Sequence, residues 1–178
     1  QTWHPKLYSV GTIKAVDGVN VNAEVPGQVT KIFFKSGEPV RKGDLLVELD
    51  TALDQQTLNN DLAQYHLNKM TYQRQIKLYK TRATAKSAVD AAEAKMLQSQ
   101  SQVKKDQVMI DKKHVRAPFS GKLGIRQVNI GQYVSAGTSM VLLQSMNPLH
   151  VDFNLPQQEL QKIYHGQPVS IKLDSQPH

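Results

Sequence analysis

Short apolar runs separated by glycines occur twice along the chain, at residues 23–49 and again at residues 117–143. Both stretches contain segments rich in β-branched and large apolar residues, such as residues 29–34 and 45–49, and strands are enriched in such residues. A single offset of 94 positions matches Ala23 with Ala117, Gly27 with Gly121, Gly37 with Gly131, Val40 with Val134, Gly43 with Gly137, Val47 with Val141 and Leu49 with Leu143. Chance similarity does not keep one offset across three glycines. The repeat therefore predicts two related β modules, each of four short strands.

The glycines of the repeat are expected in tight turns, because glycine tolerates positive φ at little cost. These turn candidates are Gly27, Gly37, Gly43, Gly121, Gly131 and Gly137. Each copy alone would be a small sheet with little core. We therefore expect the two copies to face each other and to bury one apolar face between them.

The segment between the copies, residues 51–113, has a different pattern. It contains neither Gly nor Pro and is rich in Ala, Gln, Lys and Leu, which are good helix formers. Its apolar residues recur at alternating steps of four and three, which is typical of a coiled-coil seam. The predicted seam comprises Leu58, Tyr65, Tyr72, Ile76, Val89, Ala92, Met96, Val103 and Ile110.

Topology decides whether this segment is one rod or a hairpin. If the two β copies form one sandwich, the chain has to return to where it left the sandwich, so the helical segment has to double back. Folding about Thr84 pairs apolar residues that are equidistant from the turn, such as Tyr72 with Met96. Thr84 is also a candidate N-cap for the second helix. We expect an antiparallel hairpin of two helices, each of about 30 residues and roughly 45 Å long.

The positive charge of the chain is concentrated in this central segment. The formal net charge is +7, and residues 51–113 carry eleven Lys or Arg against six Asp or Glu. A basic excess suits nucleic acid, an anionic membrane or an acidic protein surface, but a solvated lysine-rich helix face is the simpler interpretation. No RNA-binding aromatic pattern, zinc-finger spacing or basic-zipper region is present, so nucleic acid is not an expected partner.

Residues that would carry chemistry are scattered. The six histidines, at positions 4, 66, 114, 150, 165 and 178, form no metal-ligand spacing with one another or with a carboxylate. The chain has no Cys, and it contains neither a phosphate-binding glycine loop nor a serine nucleophile in a strand-to-helix turn. We therefore expect no catalytic residue, no metal site, no cofactor and no enzymatic activity.

Two further segments carry a resemblance to a known family. They are "APFSGKLG" at residues 117–124 and "PLHVDFNLPQQEL" at residues 148–160. The doubled β module resembles the biotinyl/lipoyl domain, a flattened β-sandwich of two related halves. A lipoyl domain split by a helical hairpin is similar to the periplasmic adaptor subunits, or membrane fusion proteins, of tripartite efflux pumps. The two quoted segments are similar to the adaptors of resistance-nodulation-division pumps, in which a β-barrel begins at the second segment.

The resemblance implies an α+β fold: a split lipoyl-like β-sandwich with an inserted long antiparallel α-helical coiled-coil hairpin, plus a partial β-barrel domain. The implied domains are an N-terminal barrel strand region at 1–20, lipoyl half 1 at 21–50, the hairpin at 51–113, lipoyl half 2 at 114–146 and the partial barrel at 147–178. In the last segment we expect a strand at 149–154, a short helix at 157–164 and a strand at 169–173. These are too few to close a barrel, so we expect the chain to be a piece of a longer protein.

The implied function is that of a periplasmic adaptor in a Gram-negative bacterium, bridging an inner-membrane efflux transporter to an outer-membrane channel for drug or small-molecule efflux. It would be attached to the inner membrane by a segment outside this chain, and three to six copies would form a ring. Two alternatives stay open. One is an adaptor of an ATP-driven exporter or type I secretion system, and the other is a lipoyl/biotinyl-type carrier or docking scaffold.

In family members, the hairpin tip meets the channel through an Arg, a Leu after three intervening residues and a Ser after six more. Arg74 and Leu78 fit this pattern, whereas Ala85 stands at the third position. The resemblance therefore implies a channel-docking tip that comprises Arg74, Leu78, Thr84, Ala85 and Lys86.

Overall fold

The computed structural model describes residues 7–15 and 18–172. Its elements are β1 (Gly11–Ala15), β2 (Gly18–Asn22), β3 (Gly27–Ile32), β4 (Pro39–Val40), β5 (Leu45–Leu49), α1 (Ala52–Lys80), α2 (Lys86–Lys112), β6 (His114–Arg116), β7 (Gly121–Leu123), β8 (Tyr133–Val134), β9 (Ser139–Gln144), β10 (Leu149–Phe153) and a 3-10 helix at Gln157–Lys162. The chain divides into two compact units. One spans Ala15–Pro148, and the other is formed by the segments up to Lys14 and from Leu149 onward.

The larger unit contains two four-stranded sheets, with the orders β2-β9-β7-β4 and β6-β5-β3-β8. Each half of the sandwich contributes four strands, but the repeated stretches hold three of them each, because β2 and β6 lie just before residues 23 and 117. The expectation that each copy forms its own sheet is wrong, because every sheet takes two strands from each copy. The offset of 94 positions relates the two sheets strand by strand, so the repeat is a property of the whole sandwich.

The exchanged strands are held by antiparallel pairing across the repeat. Val21 of β2 pairs with Val141 of β9, and Val47 of β5 pairs with Val115 of β6. Pairing between copies gives every short strand a neighbour from the other copy. The added neighbour matters because an isolated pair of strands is only marginally stable in water.

One apolar cluster fills the space between the sheets. Val47, Leu49, Met140, Val141 and Leu143 in this cluster are each 0% exposed. These residues come from β5 of the first copy and β9 of the second. Neither copy therefore has a core without the other.

The repeat glycines serve two purposes. Gly37, Gly43, Gly131 and Gly137 have φ between 81° and 91° and lie in turns, as predicted. The prediction is wrong for Gly27 and Gly121, which begin strands β3 and β7. At Gly121 a Cβ would lie 2.3 Å from the backbone oxygen of Gln144. Here glycine is required by the close approach of two strands, not by a turn.

Helices α1 and α2 form the predicted antiparallel hairpin. At 29 and 27 residues, each helix is about 40 Å long. Leu58 and Ile110 of the predicted seam are buried, and the other seven predicted seam residues are half-buried, namely Tyr65, Tyr72, Ile76, Val89, Ala92, Met96 and Val103. No helix among the described residues is long and apolar enough to cross a membrane.

The seam also contains polar groups. Asn68 is 9% exposed, donates to the carbonyl of Lys95 at 3.4 Å and accepts from Gln64 Nε2 at 3.2 Å. A buried asparagine in a coiled-coil seam favours one register at some cost in stability.

The connection between the helices is centred on Ala83 and not on the predicted Thr84, because α1 ends at Lys80 and α2 begins at Lys86.

The base of the hairpin is clamped where it meets the sandwich. Lys113 donates to the carbonyl of Asp50 at 2.8 Å and forms an ion pair with Asp54. The amide of Leu49 donates to the carbonyl of Lys113 at 2.9 Å. These contacts join the segment that enters α1 to the segment that leaves α2.

In the smaller unit, β1 and β10 form a two-stranded sheet, and Lys14 Nζ lies 2.7 Å from Asp152 Oδ2. The strand predicted at 149–154 is β10, and the predicted helix at 157–164 is the 3-10 helix, which ends at Lys162. The strand predicted at 169–173 is wrong for residues 169–172, and residue 173 lies outside the described part of the chain. Val169 and Ile171 remain 63% and 55% exposed; apolar residues with no surface to pack against do not form a strand.

Candidate docking site at the hairpin tip

Helix α1 ends in a Schellman motif that lacks glycine. The amide of Arg82 donates to the carbonyl of Tyr79 at 2.9 Å, and the amide of Ala83 donates to the carbonyl of Leu78 at 2.8 Å. Arg82 has a φ of 60°, the left-handed conformation that glycine usually adopts in this motif. An exposed arginine therefore occupies the left-handed position at the end of α1.

The N-terminus of α2 does not use Thr84, and that prediction is wrong. The N-cap is Ala85, with φ −79° and ψ 153°, and no side chain caps the helix. Helix α2 begins at Lys86, one residue later than a Thr84 cap requires. Thr84 is half-buried in the connection.

The five residues implied by the family resemblance lie at the tip end of the hairpin. Arg74 and Leu78 lie four residues apart, on one face of α1, and both are exposed. Ala85 and Lys86 are also exposed, at the start of α2. Arg74 is the residue furthest from the turn, about 9 Å below Lys80 along the helix.

Sequence reasoning missed Arg82. A signal was present, because helices often end with a residue in the left-handed conformation and residues 51–113 contain no Gly to adopt it. Which residue would adopt it was not readable from local propensity.

Two carboxyl groups face each other across the seam nearer the base of the hairpin. Gln102 Nε2 donates to Asp106 Oδ1 at 3.1 Å, and no donor among the described residues reaches the buried Oδ2. Burial raises the pKa of Asp106, and the neighbouring carboxyl of Asp61 raises it further, while Lys105 and Gln102 oppose the shift. A proton on Asp106 Oδ2 would turn this unpaired acceptor into a donor.

The part of the chain that the structure describes brings no three His, Asp or Glu side chains together as metal ligands. At the tip, the side chains of Arg74, Leu78, Ala85 and Lys86 are exposed.

Comparison with known proteins agrees with this geometry. Residues 17–144 match the family model described as RND MFP, barrel-sandwich hybrid domain. The chain is 31% identical to an uncharacterized protein of Haemophilus influenzae over 97% of this chain and 45% of that protein. It is 33% identical to the multidrug resistance protein MdtA of Proteus mirabilis over 88% of this chain and 42% of MdtA. The chain thus spans less than half the length of these curated relatives.

A solved structure is also similar, the MacA-MexA chimeric protein containing the Pseudomonas aeruginosa MexA α-hairpin domain. Its TM-score is 0.78 at 25% identity, over 86% of this chain and 56% of that chain. The interlaced sandwich, the inserted hairpin and the matched span of residues all lead to one assignment: the chain belongs to the barrel-sandwich hybrid domain family of RND membrane fusion proteins.

Proposed function

We propose that the chain is part of a periplasmic adaptor that links an inner-membrane efflux transporter to an outer-membrane channel and catalyses no reaction. The single observation that carries this proposal is the hairpin, an arm about 40 Å long whose base is clamped to a closed sandwich by Lys113. The name of the Proteus mirabilis relative, multidrug resistance protein MdtA, supports drugs as the transported compounds. The RND family match favours an RND-type transporter over an ATP-driven partner.

The proposal divides the chain into parts with different roles. Residues 21–50 and 114–146 would form the collar, residues 51–113 the arm, and residues 1–20 and 147–178 part of a β-barrel domain. Residues 18–20 pair with β9 of the sandwich, so the barrel segment would end before Gly18.

The outer edges of the hairpin support packing between copies. At about 100° per residue, Leu67 and Met70 of α1 lie on the face turned away from the seam, and Leu97 of α2 does the same on its own helix. All three are exposed. Because Asn68 contacts Lys95 across the seam, Leu97 lies at nearly the same height as Leu67. Copies standing side by side would therefore bring the α1 edge of one against the α2 edge of the next, a head-to-tail contact that can close into a ring.

A pair of introduced cysteines tests this ring, since the chain has none of its own. In the full-length protein, Leu67→Cys combined with Leu97→Cys should give a ladder of disulfide-linked oligomers in the periplasm. Leu67→Cys with Leu53→Cys places both thiols on α1 and should give no ladder. Equal cross-linking of the two pairs would contradict the head-to-tail arrangement.

The main test removes the arm. Replacing residues 60–108 with a short linker in the full-length protein should abolish drug efflux and the pull-down of the outer-membrane channel, because the tip no longer reaches it. Circular dichroism of the purified variant checks that the sandwich is still folded. Retained efflux would remove the hairpin from the mechanism.

A finer test addresses the tip residues. Arg74→Asp or Leu78→Ser should abolish channel binding and drug resistance without lowering the melting temperature, because both side chains are exposed. Lys42→Asp, an equal charge change at an exposed turn of the sandwich, is the matched control. Normal efflux in both tip variants would exclude Arg74 and Leu78 from docking.

A further inference from the structure

A groove lies at the foot of the hairpin, on the face of α2 that is turned away from the seam. Its volume of about 390 Å³ falls within the range of about 300–1,000 Å³ that is typical of small-molecule sites. This foot groove is formed mainly by Lys104, Lys105, Val108, Met109 and Lys112 of α2 and by Val25 of the sandwich. The α2 residues recur at steps of three and four, so they form one continuous stripe along the helix.

The floor of the foot groove is apolar. Val108 and Met109 are exposed hydrophobic residues, one helical turn below Lys104 and Lys105 and one turn above Lys112. Lysine side chains extend such a floor with their methylene groups and keep the ammonium group in water. An apolar molecule that covers these side chains is therefore removed from water together with them, which favours binding.

The two ends of the foot groove differ in charge. At the end next to the sandwich, Lys112 Nζ lies 3.3 Å from Glu24 Oε2, so this cation has a counter-charge. At the other end, the ion pairs found among the described residues include neither Lys104 nor Lys105. No Asp or Glu stands three or four residues from either lysine, which are the separations at which side chains pair along a helix.

The nearest carboxyl groups along α2 do not remove this charge. Asp106 reaches into the seam, where burial and the carboxyl of Asp61 raise its pKa, against the opposing effect of Lys105. Asp111 lies about 10 Å from Lys104 along the helix. The end of the foot groove at Lys104 and Lys105 therefore keeps a positive charge.

The size of the foot groove favours a small molecule over a protein partner. A specific protein interface takes about 20–30 residues a side, and seven residues line the groove. From Lys104 to Lys112 the groove extends over about 12 Å of helix, which suits a short chain or a small ring system.

We propose that the foot groove binds a small amphipathic organic anion, a free molecule with one carboxylate or sulfonate group and an apolar body. The acidic group lies between Lys104 and Lys105, and the apolar body covers Val108 and Met109 and points toward Val25. A charge at one end of an apolar groove fixes the orientation of such a ligand. This binding site is separate from the adaptor role proposed above and does not depend on it.

Decanoate is the probe, and a methionine in the floor of the groove supplies the readout. In the full-length protein with isotope-labelled methionine methyl groups, decanoate below its micelle concentration should shift the NMR signal of Met109, which the variant Met109→Leu identifies. Met70, exposed on α1, is the internal control and should not shift. Decyltrimethylammonium has the same chain and the opposite charge, and it should leave the Met109 signal in place. Equal shifts with the two compounds, or no shift with decanoate, would overturn the proposal.

A pair of double variants tests the role of the lysines. Lys104→Gln with Lys105→Gln should raise the dissociation constant of decanoate about tenfold, because hydrogen bonds between charged groups are the stronger ones. Lys35→Gln with Lys42→Gln removes equal charge at exposed turns of the sandwich and should change the constant by less than about twofold, because exposed distant charges are screened. Equal affinities of the two double variants would contradict the assigned charge.

The apolar floor and a competing occupant are tested on the same helix. Val108→Gln should weaken decanoate binding several-fold, whereas Leu97→Gln, on the same face but outside the foot groove, should not. A second copy of the chain is the competing occupant, because Leu97 shares this face. A Met109 signal that moves with protein concentration in the absence of decanoate would show that a second copy fills the groove, and would overturn the proposal.

Discussion

The sandwich and the hairpin are parts of one compact unit, yet they are stabilised in different ways. The sandwich buries residues such as Val47, Leu49 and Leu143 completely. In α1 and α2 together, the buried residues are Leu58, Asn68 and Ile110. The sandwich is therefore complete as a folded body, whereas the hairpin exposes apolar and charged side chains along its length. A long arm with so little core leaves apolar side chains such as Leu67, Met70 and Leu97 exposed.

Because Lys113 holds the base of the hairpin to the sandwich, the stability of the hairpin should decrease from its base to its tip. Contacts with the sandwich hold the base of the hairpin, while the tip is stabilised mainly by local helical bonds and a half-buried seam. Local opening should therefore cost least at the tip. The experiments below test that gradient, beginning with the largest effect.

Truncating the sandwich core should have the largest effect. Leu143→Ala should lower the free energy of unfolding by about 3 kcal/mol, because it leaves a cavity in a close-packed core. Ile76→Ala in the half-buried seam is the control and should cost about 1 kcal/mol. Urea denaturation of both variants measures the difference. Similar losses would mean that the hairpin is as tightly packed as the sandwich.

A glycine pair tests the close approach of β7 and β9, two neighbouring strands from the second copy of the repeat. Gly121→Ala should cost about 2 kcal/mol through overpacking, because the new Cβ would meet the Gln144 backbone oxygen at 2.3 Å. Gly18→Ala is matched to it, since its Cβ would lie 3.9 Å from Gln144 Cγ, and it should change stability little. If both variants melt together with the parent protein, β7 and β9 are not as close as described.

At the tip, a substitution should stabilise the fold. Arg82→Gly relieves the left-handed arginine and should stabilise the turn locally by about 0.5–1 kcal/mol. Hydrogen exchange of the Ala83 amide, which bonds to Leu78, reports this opening directly. Thr81→Gly is the control and should accelerate exchange, because it removes the hydroxyl that donates to Leu78 at 2.9 Å. Faster exchange in Arg82→Gly would show that the arginine side chain stabilises the turn.

The smallest effect is a pH dependence in the seam. Since the folded-state pKa of Asp106 is raised above the ordinary 3.8, the folded chain holds this proton more tightly than the unfolded chain does. The stabilising contribution is fully present below pH 3.8 and is lost as the pH rises through the folded-state pKa. Asp106→Asn should therefore raise the melting temperature at pH 7, and the gain should shrink toward pH 4. Asp111→Asn, the same change at an exposed position of the same helix, is the control for the loss of a carboxyl group.

The sequence predicted the elements better than their pairing. The shared offset of Gly37 with Gly131 and Gly43 with Gly137 located the turns and hence the strands, because positive φ restricts residue choice. The same offset shows which strands correspond, but not which strands pair. The exchange between copies is therefore invisible in the pattern and emerges from the packing of the whole sandwich.

The hairpin was predictable because a seam period and a closed topology require it. Its polar details were not. Arg82 enters the left-handed region because the connection offers no glycine, and the meeting of Asp61 with Asp106 depends on the register of two helices. Asp61 and Asp106 are almost equally far from the turn along the sequence, which was a signal that they meet. A register shift of one residue between the helices would have separated them. The docking role of Arg74 and Leu78 came from family resemblance and stays a prediction.

The exchange of strands has a consequence for the order of folding. β2 pairs with β9, through Val21 and Val141. The first strand of the sandwich therefore cannot pair until residues 139–144 have been synthesised. The helices need only local contacts and form on a faster timescale. When the two helices pack together, they bring Asp54 beside Lys113. The two halves of the sandwich then have a shorter effective loop to close. The hairpin would thus form first and hold the two halves of the sandwich close enough to pair.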